Sequence, residues 1–471
     1  MSRSPGLLFR LFRLVKRAVP YGGTALFLLS LLPPLPGLTQ EAQRTLGIFF
    51  LAVAFWLAGR PFPPAVTGLM VMGLVPLTGI LGVSETFALF GNRAVFFILG
   101  AFILAAGLLH SGLARRLSTR LLAHFQGSAY ALVAGVFVAT DLMSWFIPEH
   151  VVAALTFPVL LKLLHRLRIP REHREFEALL FLSMAWGSVI GGIATPLGGA
   201  RAPLAIGILQ EEFGIRIQFL DWTLAALPVT LLLSLFGLLY LYLLTRRFQS
   251  LNPLIREAAG AESPTAAGPL NLKEKRVLVV FGLALVGWIL LDRWLDFSVT
   301  AILAALLLFL FRVVSWKEVE GYVNWGVILM YGGAIVLGKT MVESGAALVI
   351  ARGLLFPFAH HPVTLFLVLT LLALLLTELI SNVATVALLL PLAYSLAGPL
   401  HLNPVFLTLL VTLPAGLPFM LPMGTPPNAL AFSSGKYSVG YAIRRGVVFH
   451  AAALAALAFA AFGLWPWLGL H

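Results

Sequence analysis

The chain has 471 residues, 60% of them hydrophobic and 11% charged. Soluble domains carry about 25% charged residues, so a soluble fold of this length is excluded and lipid is the solvent for most of the chain. The net charge of +13 sits in short segments between apolar runs, as membrane topology requires, and is not a nucleic-acid surface. The absence of cysteine excludes disulfides, thiolate metal sites and a cysteine nucleophile.

Residues 1–20 carry Arg3, Arg10, Arg13, Lys16 and Arg17 with no acidic residue. They read as a basic amphipathic helix on the cytoplasmic surface, with Leu7, Leu8, Leu11 and Leu14 on its apolar side. A transit peptide is the other reading. A spanning helix needs about 20 apolar residues. Candidate spans lie near 22–38, 46–59, 63–82, 94–113, 177–197, 222–245, 277–295, 297–315, 324–342, 402–422 and 446–468. The stretches 128–162 and 362–396 are apolar but broken in the middle by polar residues and proline. Each is too long for one crossing and short for two, and suits a re-entrant hairpin followed by a helix. Residues 246–276, rich in Pro, Gly, Lys and Arg, read as an extramembrane linker. The expected fold is an all-α membrane protein with about 11 transmembrane helices and two re-entrant hairpins.

The two halves repeat. Ser111-Gly112 matches Ser344-Gly345, and FIPEHVVAALTFPVL at 146–160 matches LISNVATVALLLPLA at 379–393, both at an offset of 233. Gly198 pairs with Gly424 at an offset of 226. Matching loops carry opposite charge bias. Lys162, Arg166, Arg168, Arg171 and Arg174 follow the first hairpin, and the equivalent stretch of the second has neither Lys nor Arg. Glu211, Glu212 and Asp221 follow Gly198, whereas Lys436, Arg444 and Arg445 follow Gly424. By the positive-inside rule the repeats are inverted, with the N-terminus and linker inside and the C-terminus outside. Inverted repeats with broken helices are the layout of secondary transporters, whose sites lie near the midplane.

The run Thr377-Glu378-Leu379-Ile380-Ser381-Asn382-Val383-Ala384-Thr385 resembles the Ser-Asn-Thr hairpin-tip signature of the divalent anion/sodium symporters. Leu421-Pro422-Met423-Gly424-Thr425-Pro426-Pro427-Asn428-Ala429 resembles that family's Thr-Pro-Pro-Asn loop. The resemblance covers nearly the whole chain. It implies a homodimer in the cell membrane, an elevator-type transport part moving against a scaffold, Na⁺ beside each hairpin tip, and a dicarboxylate, tricarboxylate or sulfate-like dianion as substrate. On that pattern 1–20 is the interfacial helix, 21–125 and 277–360 are the scaffold parts of the two repeats, 126–245 and 361–471 the hairpin and transport parts, and 246–276 the cytoplasmic linker.

The residues themselves fit such a task. Ser381 and Asn382 offer uncharged groups to a carboxylate or Na⁺. Gly424-Thr425-Pro426-Pro427 must break its helix, freeing carbonyls for a cation while the following helix start favours an anion. The first repeat departs from the pattern, with Pro148-Glu149-His150 and Gly198-Gly199-Ala200-Arg201-Ala202 at the corresponding places, and Val383 replaces a threonine in the second. Candidate anion-facing residues are Ser381, Asn382, Thr425, Pro426, Gly199, Arg201 and Glu149. Candidate cation ligands are Ser144, Glu149, Gly198, Thr377, Asn382 and Gly424, with Thr195 also available. A carboxylate at the bilayer centre costs about 2.5–3.5 kcal/mol. Glu149 is therefore a Na⁺ ligand, a proton carrier with His150 beside it, or the partner of Arg201; a free Arg201 would be a counter-charge for a dianion.

Asp141 and Glu378 read as helix hydrogen-bonders, and Asp292, Arg293 and Asp296 as a helix end at the interface. No HExxH or GxSxG motif is present, so an enzyme is not expected. The rival readings are a proton-coupled anion transporter, an anion exchanger, a cation/proton antiporter and a metalloid oxyanion exporter.

Overall fold

Several helix starts are set by capping side chains, among them Thr39, Asn92, Ser128, Asn271 and Ser381, and several stops by glycine, among them Gly59, Gly112 and Gly214. In the computed structural model, which describes residues 7–59, 61–117, 127–167, 169–260, 269–291, 294–359 and 361–469, no strand is present among the described residues. The chain opens with α1 (Leu7–Ser30), α2 (Gln40–Ala58), α3 (Pro64–Leu77), α4 (Val83–Phe90) and α5 (Arg93–Ser111). There follow α6 (Ala129–Ser144), α7 (Glu149–Leu167), α8 (Arg174–Gly191), α9 (Arg201–Phe213), α10 (Phe219–Thr245) and α11 (Asn252–Gly260). The second half runs α12 (Leu272–Leu290), α13 (Phe297–Leu310), α14 (Trp316–Glu320), α15 (Trp325–Glu343), α16 (Ala346–Leu354), α17 (Pro362–Leu379), α18 (Asn382–Tyr394), α19 (Pro404–Thr412), α20 (Pro426–Ser433) and α21 (Val439–Phe459).

Seven helical stretches are long and apolar enough to cross a membrane among the described residues, and Pro64–Leu77, Ala129–Ser144, Phe297–Leu310, Asn382–Tyr394 and Pro404–Gly416 are shorter apolar helices. Several expected spans are not continuous. The helix expected over 402–422 stops at Thr412 and unwinds through 417–425, and that over 177–197 stops at Gly191. The boundary expected at residue 20 is not a break, because α1 carries Pro20 inside one helix. Asp292, Arg293 and part of the linker (261–268) lie outside the described residues.

Repeat symmetry is visible in the packing. A Cβ on Gly333 of α15 would lie 2.4 Å from Gly68 Cα of α3, and one on Gly100 of α5 would lie 2.8 Å from Ala301 of α13. Gly333 lies 233 residues after Gly100 and Ala301 lies 233 after Gly68, so the two contacts are repeat equivalents and each repeat lends a helix to the other's close contact. Ser111 and Ser344 each precede a glycine of positive φ, Gly112 at 83° and Gly345 at 75°, where a side chain would be strained.

The inversion is visible too. Asn92, at the start of α5, bonds Glu211 (2.8 Å), and Glu85 just before it faces Lys339 near the end of α15. At the opposite face His110, ending α5, meets Glu318 and Tyr322, which precede α15. Equivalent helices thus run antiparallel. The hairpins α6–α7 and α17–α18 break at 145–148 and 380–381. In the first, α6 packs against α8 so closely that a Cβ on Gly187 would touch Phe137 O at 2.3 Å and one on Gly191 would touch Asp141 O at 2.0 Å.

Candidate anion and cation site

Four helices begin where hairpins and loops break: α7 at Glu149, α9 at Arg201, α18 at Asn382 and α20 at Pro426. A helix start presents unpaired amides and the positive end of its dipole. The first three of these starting residues touch directly. Arg201 Nη1 donates to Glu149 Oε2 at 3.0 Å. Asn382 Nδ2 donates to Glu149 Oε1 at 3.2 Å, so the tips of the two repeats meet through positions 233 apart. Glu149, Arg201 and Asn382 are 5%, 2% and 7% exposed. Of the three readings of Glu149, the pairing with Arg201 is the one the geometry displays.

Arg201 is threaded among glycines from both repeats. A Cβ on Gly416 would lie 2.1 Å from Arg201 Nε, and one on Gly199 would lie 2.3 Å from Arg201 Nη1. One on Gly192 would lie 2.3 Å from Glu149 Oε2. The guanidinium therefore needs hydrogen at all three positions. Its Nη2 is buried with no hydrogen-bond partner. A buried donor without a partner costs about 1–3 kcal/mol, so Nη2 has bonding capacity for one further acceptor.

Around this pair the repeats build two matching corners. In repeat 1 a Cβ on Gly198 would lie 2.4 Å from Ser144 O, and Gly198 O accepts from Glu149 N at 2.9 Å. In repeat 2 a Cβ on Gly424 would lie 2.9 Å from Thr377 O. Ser144 corresponds to Thr377, Glu149 to Asn382 and Gly198 to Gly424, so the six candidate cation ligands fall into two triads. The corners differ in charge. Thr377 Oγ1 lies 2.9 Å from Asn382 Oδ1 and 2.6 Å from Ala415 O. One hydroxyl proton serves only one of two acceptors, and the crowded third oxygen is the arrangement a hard cation relieves. In repeat 1 Ser144 Oγ is buried with no partner.

Two networks hold the unwound loops. Thr195 Oγ1 donates to Trp145 O at 2.5 Å, tying 192–200 to the first hairpin tip. Glu378 accepts from the amides of Phe419 (2.6 Å), Met420 (2.8 Å) and Leu421 (2.6 Å), and His450 Nε2 lies 3.1 Å from the same carboxylate. Its bonds thus go to the facing loop and not to its own helix. Asn428 Nδ2 donates to Pro418 O (3.0 Å) and Leu421 O (3.2 Å), closing that loop from the other side. Asp141 is satisfied by Ser234 (2.6 Å) and Trp145 (3.3 Å).

The remaining candidates stand apart from the pair. Ser381 is exposed and caps α18 through Ala384 N, and Thr425 caps α20 through Asn428 N. Pro426 is exposed at the first position of α20. His150 packs edge-on against Phe102 of α5, away from the carboxylate it follows in sequence. Ala415, Gly192 and Gly416 were not foreseen, because a carbonyl or a missing side chain leaves no motif. Asn428 was within reach, since it ends the Thr-Pro-Pro-Asn run.

Residues 20–471 match the family described as the sodium:sulfate symporter transmembrane region. The chain belongs to the sodium:sulfate symporter family. It is a transporter and not an enzyme, and a multi-pass membrane protein. It is 30% identical over 451 residues to the sodium-dependent dicarboxylate transporter SdcS of Staphylococcus saprophyticus, covering 88% of this chain and 85% of that one. The same identity and coverage hold for SdcS of Staphylococcus aureus. Among solved structures it is similar to MtrF of Neisseria gonorrhoeae (TM-score 0.55, 14% identity, 88% of this chain and 98% of that one). It is also similar to the YdaH transporter of Alcanivorax borkumensis (TM-score 0.53, 16% identity, 86% and 98%). At such identities the two structures speak for the fold alone. In this chain the ion pair at Glu149 and Arg201 sits where the repeat 2 signature has uncharged groups.

Proposed function

We propose that this symporter family member moves a small dicarboxylate or sulfate-like dianion across the cell membrane, coupled to Na⁺. The observation that carries the reading is Arg201: a buried guanidinium with a spare donor, at the meeting of helix starts from both repeats. Arg201 would take a carboxylate of the anion, with Asn382, Ser381 and the amides that open α18 and α20 completing the shell. Gly199 keeps the approach to Arg201 open, and Thr425 and Pro426 shape the second loop's start. Thr377, Asn382 and Gly424 would hold one Na⁺, and Ser144, Glu149 and Gly198 a second. The SdcS relatives, named as sodium-dependent dicarboxylate transporters, support both halves of the reading.

The transport parts, 126–245 and 361–471, would slide as an elevator against the scaffold parts, 21–125 and 277–360. All three residues of the ion-pair cluster lie in the former, and the two repeat-equivalent glycine contacts, Gly68 with Gly333 and Gly100 with Ala301, lie in the latter. We assign a homodimer, a cytoplasmic N-terminus and a cytoplasmic linker on the family pattern and the distribution of Lys and Arg.

The test is the melting temperature of the purified protein with succinate, citrate, sulfate or phosphate, with and without Na⁺. A ligand of the folded state raises it by mass action. The expected result is stabilisation by a dicarboxylate only when Na⁺ is present. Response to Na⁺ and pH with no response to any anion would refute the reading in favour of a cation/proton antiporter.

A further inference from the structure

The two corners of the site solve the same problem with different charges. Repeat 2 presents the uncharged oxygens of Thr377, Asn382 and Ala415. Repeat 1 presents Glu149, whose charge is already met by Arg201. Yet both members of this pair border unmet demand. Arg201 Nη2 has no acceptor, and the Ser144 hydroxyl, in the residue whose carbonyl lies against Gly198, has no partner. Glu149 is tied to the same corner, because its amide donates to Gly198 O.

We propose that the Glu149–Arg201 pair is the coupling device: on loading, a substrate carboxylate takes Arg201 while Na⁺ takes Glu149 with Ser144, and on release the pair re-forms. This rests on the transport reading above and adds to it a reason for obligatory coupling. Opening the pair for the anion alone strands a buried carboxylate, and opening it for Na⁺ alone strands a buried guanidinium; each is strongly unfavourable. Bound together, each ligand neutralises the charge the other leaves bare. Anion and Na⁺ therefore raise one another's affinity by the same factor, on the order of 5–150-fold for couplings of this kind. The charges also balance over the cycle. The empty site holds one positive and one negative group and is neutral. With a dianion, one Na⁺ at Glu149 and one at the repeat 2 triad it is neutral again. A neutral empty site is what can recross the low-dielectric interior without a bound ion.

Glu149→Gln separates the roles. It leaves Arg201 already unpaired, so the anion no longer has to open the pair, and it removes the repeat 1 Na⁺ ligand. In binding titrations of succinate against Na⁺ concentration, the slope of log affinity on log [Na⁺] is expected to fall by about one from wild type. Affinity at low Na⁺ is expected to rise about tenfold or more. In proteoliposomes the variant is expected to exchange succinate for succinate while net uptake drops about tenfold or more, since its empty site carries a bare positive charge. An unchanged Na⁺ slope, or exchange and net uptake falling together, overturns the proposal and leaves the transport reading intact. A wild-type protein that binds none of the anions removes both. Should Glu149→Gln fail to fold, the double variant Glu149→Gln, Arg201→Gln, which has no unpaired charge, carries the test. It is expected to fold and to bind succinate at least about tenfold more weakly, and affinity near that of wild type overturns the exchange.

Discussion

Adding one methyl group at Gly416 separates the anion's requirement from the fold's. A Cβ there would lie 2.1 Å from Arg201 Nε, 2.6 Å from Cζ and 2.7 Å from Nη2. Ordinary contact is about 3.5 Å, so the guanidinium must retreat by about 1.4 Å. The backbone of 416 cannot give way, since it is buried and its amide donates to Leu413 O at 3.0 Å. The 3.0 Å bond to Glu149 does not survive such a shift. The displaced atoms are the end of a long side chain, so overpacking itself costs at the low end of ~1–3 kcal/mol, and the two charges, although no longer hydrogen-bonded, still face one another so that neither is stranded. The cost to binding is larger. A hydrogen bond to a charged group contributes ~1.5–3 kcal/mol, which is about tenfold to hundredfold in Kd. Gly416→Ala is therefore expected to purify as a folded protein and to bind succinate in Na⁺ about tenfold to hundredfold more weakly by calorimetry. A Kd within about threefold of wild type would refute Arg201 as the anion's counter-charge.

Thr377→Val keeps the shape of the repeat 2 corner and removes one oxygen. The Na⁺ concentration for half-maximal stabilisation is expected to rise about tenfold, and an unchanged Na⁺ response would take this triad out of the cation role. Glu378→Ala leaves three loop amides without an acceptor, each costing about 1–3 kcal/mol when buried. A sharply lower melting temperature is expected, and a melt that overlays wild type would contradict the loop-holding role. Asp296, outside the spans, caps α13 and bonds Ser298 and Arg216, with Arg93 also on its carboxylate. Burial pushes its carboxyl up, but the Ser298 bonds and Arg93 outweigh this and hold it below the usual range. A depressed carboxyl stabilises above its unfolded value of about 3.9 and loses that contribution as pH falls through the folded value. Asp296→Asn is thus expected to melt lower than wild type at pH 7, with the gap closing below about pH 4. A gap that stays constant with pH would count against the carboxylate's charge as its cause.

The frame was legible because it is written in periodic apolar text and helix breakers. Pro148 and Ser381 mark the hairpin tips, Gly198 and Gly424 mark the loops, and the structure breaks the chain at each. The charge bias that implied inversion is matched by the antiparallel course of α5 and α15. Span ends were less legible. The segment 402–422 has apolar residues throughout, and nothing in its composition says that the helix unwinds after Thr412 while its amides turn to Glu378. The partners of a side chain were the least legible. Glu149 had three readings, and only the approach of α7 and α9, permitted by Gly192 and Gly199, chose the ion pair. His150, adjacent in sequence, turns to Phe102 because successive residues at a helix start face different neighbours.

The repeats thus share a backbone and differ in charge, and the physical chemistry of a buried site explains why the difference is confined to a pair. A lone Glu149 would be costly in that setting, and so would a lone Arg201 beside the opening amides of α9, which already supply positive potential. Together they offset one another, and Asn382 joins them to the uncharged corner by giving its amide nitrogen to Glu149 and its oxygen to Thr377. Arginine rather than lysine suits the position. A guanidinium can give Nη1 to Glu149 and still aim Nη2 elsewhere, whereas an ammonium is a single point of charge. The ion pair is therefore more than a neutral plug. It leaves one buried donor unpaired, and it holds that donor at the place where helix starts from the two repeats converge.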